Sequence, residues 1–310
     1  MKIAVMGSGG IGGYFGGLLA RAGEDVTLIA RGAHLEAIQK NGLHVKSAAG
    51  DFHIHARATH DPATIGPVDL VLFCVKGYDV TAAGSQVRSM VGPHTVVLCL
   101  LNGVDNEERL AAILGKEHVM VGVVHILSTI SSPGVISQTA GPRSLKFGET
   151  DGRVTHRAER ILAVLKAAGI HVGLSTQIQI DLWEKFLFIC AQGGVTALAR
   201  LTIGEILACP ETAALYRGVM EEVAAVGRAR GVPLPLDAVD RAMAFACGLQ
   251  PGMRSSLAHD LSRGNRLEVE TLPGAVVRYG REAGVVTPLN FAIYACLKPY
   301  HEKALVSRPA

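Results

Sequence analysis

The sequence predicts an α/β protein in two parts, a doubly wound parallel sheet followed by an all-helical domain. Three observations predict it. The chain opens with a strand, a glycine turn, a helix and a second strand within its first thirty residues. Apolar strand runs then alternate with helical spacing to about residue 175. From about Gln177 the strand runs stop and only helical periodicities follow. The expected division is 1–175 and 176–310, with no Pro/Gly/Ser-rich linker between them.

The opening stretch carries the most information. Ile3 to Val5 is an apolar run that starts almost at the first residue and reads as a buried strand. It leads into Gly7-Ser8-Gly9-Gly10-Ile11-Gly12, after which Tyr14, Phe15, Leu18, Leu19 and Ala22 recur at helical spacing. Gly23 ends that helix, and Val26 to Ala30 reads as the second strand. This is the βαβ unit of a Rossmann-type dinucleotide site. Gly7 makes the tight turn, Gly9 lets a pyrophosphate approach the backbone, and Gly12 lets helix pack on strand. The helix N-terminus meets the phosphate charge. A glycine turn without function is the alternative, but the complete strand–turn–helix–strand context favours a nucleotide.

An NAD site usually ends its second strand with an acid that accepts from the ribose 2′-hydroxyl. Here Arg31 stands in that place. A guanidinium binds a phosphate bidentately, so the expected cofactor is NADP; an ordinary surface arginine is the other reading.

Further along, a short helix around Leu35 to Gln39 precedes two short strands, His44 to Lys46 and Phe52 to Ile54. Asp69 to Val75 and Thr95 to Leu100 are fully apolar strands, followed by Lys76 and by Asn102-Gly103. Ligands of open α/β sheets sit beyond the carboxyl ends of the strands, which makes Lys76 and Asn102 candidates; a solvated lysine and a plain turn are the alternatives. A charged helix, Asn106 to Leu114, is followed by a strand over Val119 to Val124. Gly134 to Ser137 and Leu145 to Phe147 read as strands around a Pro/Gly-rich turn. Arg153 to Ala167 reads as a helix, and a strand at His171 to Gly173 closes the region.

The helical region divides into Leu182–Leu198, Ile203–Leu207, Ala213–Ala229, Leu236–Phe245, Ser256–Ser262, Leu267–Glu282 and Leu289–Tyr300. A nucleotide domain followed by such a domain leaves a cleft for substrate. Lys185 stands one residue before the apolar run FLFICAQGGVTALA. Either it is desolvated, which lowers its pKa toward neutrality and suits a proton donor, or it snorkels to the surface. Ser255 has the character of an N-cap and Gly264 of a C′ residue. On a helix Glu268 and Glu270 would point to nearly opposite sides, so at most one faces the cleft.

A formal charge of +3 with no basic cluster argues against nucleic acid. Six scattered cysteines without a CxxC, and twelve dispersed histidines, argue against a disulfide framework and a metal site. The longest apolar stretch, Phe186 to Ala199, is about fourteen residues and carries Gln192, too short for a bilayer span. The nucleotide fold occupies the residues a signal peptide would use, so a cytoplasmic protein is expected. The helical domain is apolar enough for a homodimer.

Several of these residues, taken together, resemble the ketopantoate reductase (2-dehydropantoate 2-reductase) family, nearly end to end. The matching segments are Gly7 to Gly12, Val75-Lys76, Leu101-Asn102-Gly103, Pro133-Gly134-Val135, Trp183-Glu184-Lys185, Thr196-Ala197-Leu198, and Ser255-Ser256 with Asp260 and Glu268. The glycine turn is widely shared. The lysine helix with Ser-Ser-(x3)-Asp-(x7)-Glu is far more specific, and it displaces the snorkelling reading of Lys185.

The resemblance implies NADPH-dependent reduction of a 2-oxo acid to a D-2-hydroxy acid, with ketopantoate and D-pantoate the family pair and coenzyme A synthesis the pathway. It makes Lys185 the proton donor and Glu268 the group that orients Lys185 and touches the cofactor's ribose. Asn102 would bind cofactor and substrate, Ser256 the substrate's polar end, and Arg31 with Lys76 the adenosine phosphate.

Four positions depart from the family pattern, three of them asparagines in the family. Ile189 and Gly193 stand where asparagine is usual after the lysine, with Gly194 in place of the following proline, and Met253 stands where another asparagine precedes the serines. A site built to bond a hydroxyl binds it poorly once the donors are apolar. Three readings therefore stand: ketopantoate reduction, reduction or oxidation of a more apolar 2-oxo/2-hydroxy acid, and a non-catalytic NADPH sensor.

Overall fold

The computed structural model describes residues 1–307, which divide into two compact units. The first comprises Met1–Leu101 and Asn106–Ile178, and the second joins Asn102–Asp105 to the residues from Gln179 onward.

In the first unit the strands are β1 (Lys2–Met6), β2 (Asp25–Ile29), β3 (Leu43–Ser47), β4 (Phe52–Ile54), β5 (Arg57–Thr59), β6 (Leu70–Phe73), β7 (Val96–Cys99), β8 (Val119–Ser132), β9 (Val135–Gly148) and β10 (His171–Leu174). The helices are α1 (Gly10–Arg21), α2 (Gly32–Asn41), α3 (Val80–Val87), α4 (Asn106–Leu114) and α5 (His156–Ala167). One sheet runs in the order β4-β3-β9-β8-β7-β6-β1-β2-β5, with β10 added alongside β9. Its centre is parallel and buried on both faces, which is why β1, β6 and β7 read as unbroken apolar runs. Side chains alternate strictly between two cores. Ile3, Val5, Leu70, Leu72 and Leu98 join Phe15 and Leu19 of α1 and Ile161 and Leu165 of α5 on one face. Ala4, Met6, Val71, Phe73 and Val97 join Val80 and Val87 of α3 and Leu110 of α4 on the other.

The sheet departs from an all-parallel one where β8 pairs with β9 and where β3 pairs with the edge strand β4. The expected short strands at Val119–Val124, Gly134–Ser137 and Leu145–Phe147 are parts of one antiparallel hairpin of two 14-residue strands. Its reversal lies at Pro133-Gly134, not between Ser137 and Leu145. The outer part of β8 (Thr129–Ser132) is exposed and, Ile130 apart, polar, so no apolar run marks it. The ladder shifts register between His125 and Leu127, opposite the interval Ala140–Ser144, and this bulge accommodates Pro142 with Gly141 and Arg143 at positive φ. The three-residue strand β5 was also absent from the sequence expectation, since Arg57-Ala58-Thr59 carries no apolar pattern.

In the second unit the helices are α6 (Ile178–Ala199), α7 (Ile203–Ala208), α8 (Pro210–Ala229), α9 (Ala238–Cys247), α10 (Ser256–Ser262), α11 (Pro273–Ala283) and α12 (Pro288–Ser307). α6 is largely buried, with Leu182, Trp183, Phe186, Leu187, Cys190, Ala191 and Val195 all inside. Among the described residues no helix is long and apolar enough to cross a membrane. The helix expected over Leu267–Glu282 begins only at Pro273, a residue suited to the first helical position because it brings no N–H to satisfy. Residues 265–272 are non-helical. The premise that Glu268 and Glu270 sit two apart on a helix therefore fails.

Glu222 of α8 caps α12. Its carboxylate accepts from the Leu289 and Asn290 backbone N–H groups at 2.8 and 2.9 Å and from Asn290 Nδ2 at 2.8 Å. It satisfies two first-turn donors and complements the helix dipole. Glu222→Ala is expected to lower stability by about 1–3 kcal/mol, the cost of leaving such donors unpaired. A urea unfolding midpoint unchanged from the parent protein would contradict this.

Candidate functional site

The first unit places the glycine turn between two cationic side chains. β6, β1 and β2 are parallel neighbours, and Met6 is in register with both Phe73 and Ile29. The turn after Met6, Arg31 two residues past Ile29 and Lys76 three residues past Phe73 thus emerge at one edge of the sheet. Arg31 is exposed at the N-cap of α2, and Lys76 is half-buried. Gly7 has φ +95°, and a Cβ there would stand 3.0 Å from the Cys74 carbonyl. A Cβ at Gly10 would overlap the Ser128 carbonyl of β8, and one at Gly12 would overlap Gly7. Gly9 differs: a Cβ there would meet nothing within 4 Å, so this glycine faces open space.

Gly9 is also the N-cap of α1, with no side-chain cap and no acid in the first turn. Ser8 is buried, and its Oγ has no hydrogen-bond partner among the described residues. Ile11 is half-buried in the first turn of the helix. Uncapped backbone N–H groups, a waiting hydroxyl and open space beside Gly9 fit the pyrophosphate of a dinucleotide.

In the second unit, Asn102 and Lys185 come together. Lys185 Nζ donates to Asn102 Oδ1 at 2.8 Å. Burial pushes the lysine down to a pKa of about 8, against the opposing influence of the Glu268 carboxylate. Glu268 is buried, whereas Glu270 is half-buried and engaged by Lys298 and by the Tyr294 hydroxyl at 3.1 Å. The two acids are thus separated in role by the turn at 269–272, not by a helix face.

Asn102 belongs with the helical unit, although the sequence places it just past β7. Gly103, at φ +110°, turns the chain sharply after it. Asp105 Oδ2 then accepts from Arg278 Nη2 of α11 at 2.7 Å. Neither Asp105 nor Arg278 was a sequence candidate. A buried acid directly after Asn-Gly-Val was the available signal, but its partner lies 173 residues on.

Ser255 is the N-cap of α10, accepting from Ala258 N at 3.0 Å and from Thr196 Oγ1 of α6 at 2.7 Å. Ser256, next to it, is exposed. Asn265 closes the loop after α10, with Nδ2 donating to Asp260 Oδ1 at 3.0 Å. Of the three apolar replacements, Ile189 and Met253 are half-buried and Gly193 is buried, with Leu257 and Leu272 nearest to where its side chain would project. Among the described residues no group of three or more His, Cys, Asp or Glu is arranged to hold a metal ion.

Two family models match the chain: "Ketopantoate reductase PanE/ApbA" over residues 3–152 and its C-terminal counterpart over 177–301. A 2-dehydropantoate 2-reductase of Mesorhizobium japonicum is 31% identical over 96% of this chain and 97% of its own length. An uncharacterized oxidoreductase, YkpB, of Bacillus subtilis is 30% identical over 97% of this chain and 99% of its own. The crystal structure of a PanE/ApbA family ketopantoate reductase from Ralstonia eutropha superposes with a TM-score of 0.91 at 35% identity, covering 98% of this chain and 99% of that one. With both halves of the chain matched, it belongs to the ketopantoate reductase family and is an NADP-dependent oxidoreductase acting on the CH–OH group.

Proposed function

We propose that this protein reduces 2-dehydropantoate to D-pantoate with NADPH, using Lys185 as proton donor. The observation that carries the reading is the buried Lys185 ammonium, held on Asn102 and titrating near pH 8. Reduction adds a hydride to the carbonyl carbon and a proton to the carbonyl oxygen. The bound nicotinamide supplies the hydride. Lys185 donates a hydrogen bond to the ketone and then its proton to the developing alkoxide, stabilising the transition state more than the ground state. A donor with a pKa near the working pH is both protonated and willing to give up its proton. Asn102 fixes the direction of Nζ and contacts substrate and cofactor. Glu268 keeps the ammonium charged despite burial, orients it and reaches the cofactor's ribose. Ser256 binds the polar end of the substrate, while Arg31 and Lys76 take the adenosine 2′-phosphate beside the glycine turn.

A second reading has its own observation. Ile189, Gly193 and Met253 remove three amide side chains, and Gly193 faces Leu257 and Leu272. These changes favour a 2-oxo acid with a more apolar tail than 2-dehydropantoate. Turnover of NADPH with 2-dehydropantoate beside straight, branched and aromatic 2-oxo acids decides between the two, since each predicts a different best substrate. A sensor that only binds NADPH would turn over none of them.

Lys185 must be protonated to act as an acid, so reductive kcat/KM should hold below pH 7 and fall as pH rises through about 8. Glu268→Gln removes the charge that raises the lysine's pKa, and the falling limb should move to lower pH. A limb that stays in place in this variant would separate Glu268 from the lysine's titration. Lys185→Ala should cost roughly a hundred- to ten-thousand-fold in kcat while NADPH binding persists. Arg31→Asp should weaken NADPH roughly ten- to a hundredfold and NADH much less, as expected for loss of a charge-assisted phosphate contact. Equal losses for both cofactors would remove Arg31 from the phosphate site.

A further inference from the structure

His34 of α2 uses both ring nitrogens, and its two partners lie on segments far apart in the chain. The Gly134 backbone N–H donates to Nδ1 at 3.0 Å, so Nδ1 carries no proton. The proton therefore sits on Nε2, which donates to the Ser8 carbonyl at 2.9 Å. The partners fix a neutral ring in one tautomer. One contact spans 26 residues and reaches the glycine turn; the other spans 100 and reaches the tip of the β8–β9 hairpin.

Both partners are themselves held. Ser8 N donates to the Ile29 carbonyl at 2.9 Å, so its peptide is gripped on either side of the residue. Ser128 Oγ of β8 donates to the Gly10 carbonyl at 2.9 Å. The Gly134 carbonyl accepts from His44 N at 2.9 Å. The imidazole is thus a strut between the turn that presents its N–H groups to phosphate and the strand pair flanking it.

We propose that His34 is a positioning residue for NADPH, whose neutral ring fixes the Ser8 peptide and hence the phosphate-facing turn. The proposal rests on the reading that this turn holds the cofactor. An imidazolium carries N–H on both nitrogens, so protonation sets Nδ1–H against the Gly134 N–H and breaks the strut at that end. Burial holds the ring's pKa below the usual histidine value, with the Ser8 bond opposing part of that shift. The titratable groups on the surrounding elements are Arg31 at the N-cap of α2, Glu36 and Lys40 on α2, His44 and Lys46 on β3, and Arg57 on β5. The glycine turn and the hairpin tip contribute none. The ring is neutral in this arrangement, and the strut is lost once acid protonates it.

The test is the NADPH dissociation constant, read by cofactor fluorescence without substrate, from about pH 5.5 to 8. His34→Ala should raise it roughly tenfold at neutral pH, the worth of one or two hydrogen bonds. His34→Gln offers an acceptor and a donor on one carboxamide but does not titrate. It should keep parental affinity at neutral pH and lose the parent's extra weakening in acid. The 2′-phosphate of NADPH titrates in the same range in every variant, so the difference between proteins is the reading. Parental affinity in His34→Ala, or parental acid weakening in His34→Gln, would overturn the proposal; if the alanine variant fails to fold, the glutamine pH profile decides. Gly9→Asp separates the underlying reading, because its side chain enters open space and sets a carboxylate against phosphate. If Gly9→Asp binds NADPH as the parent does, the turn is not the cofactor site. If it loses binding while the histidine variants match the parent, only the His34 proposal falls.

Discussion

Burying the ammonium of Lys185 is the constraint to which much of the helical unit answers. An isolated buried charge costs several kcal/mol and ordinarily neutralises instead. Here desolvation lowers the pKa only to about 8, because Glu268 opposes the shift, and Asn102 accepts a hydrogen bond from the ammonium. Both compensating groups come from irregular backbone, so each needs an anchor. Asn102 lies in a four-residue segment turned at Gly103 and tied to α11 through Asp105 and Arg278. Glu268 lies in a non-helical passage bounded by the Asp260–Asn265 closure on one side and by Pro273 on the other. The catalytic proposal and the architecture meet in this one requirement: an acid usable near neutrality has to be half-desolvated and then held.

The glycine turn answers to a different constraint, that of close backbone approach. Gly7, Gly10 and Gly12 are packed against the chain just past β6, β8 and their own turn, while Gly9 faces open space. The glycines of the motif therefore divide into three that build the turn and one that leaves room beside it. That division is what a phosphate site needs, since the N–H groups must be rigid and their approach unobstructed. The strict alternation of β1 side chains between two cores holds the turn in register from beneath, because every residue from Ile3 to Met6 is buried.

How much of this was legible in the sequence follows from where each signal resides. Local, self-contained elements were readable: α4 at Asn106–Leu114 and α10 at Ser256–Ser262 have the expected bounds, and Ser255 caps as its type suggests. Elements whose outer parts face solvent were not. The β8–β9 hairpin hides its length because its polar outer end and its bulge erase the apolar run. The passage 265–272 reads as helix because Val269 and Leu272 continue the helical spacing of Val276 and Tyr279, although Pro273 marks a helix start. The roles of His34, Asp105 and Arg278 come from contacts 26 to 173 residues apart, and no local pattern encodes those.

The apolar replacements near Lys185 are better understood as one repacking than as three deletions. A Cβ at Gly194 would stand 2.9 Å from Ile293, so the glycine lets α12 lie close against α6. At Gly193 a Cβ fits at ordinary contact distance, but its neighbours are Leu257 of α10 and Leu272. An asparagine carboxamide there would have to find a partner among leucines, and a buried amide without one costs about 1–3 kcal/mol. The Gly193-Gly194 pair thus suits the packing of α6 against α10 and α12, and restoring one side chain restores neither the backbone spacing nor the polar partners. A pocket altered through its packing in this way changes shape and polarity together. That coupling is the physical ground for separating the proposed reaction, assigned to Lys185, Asn102 and Glu268, from the identity of the acid reduced.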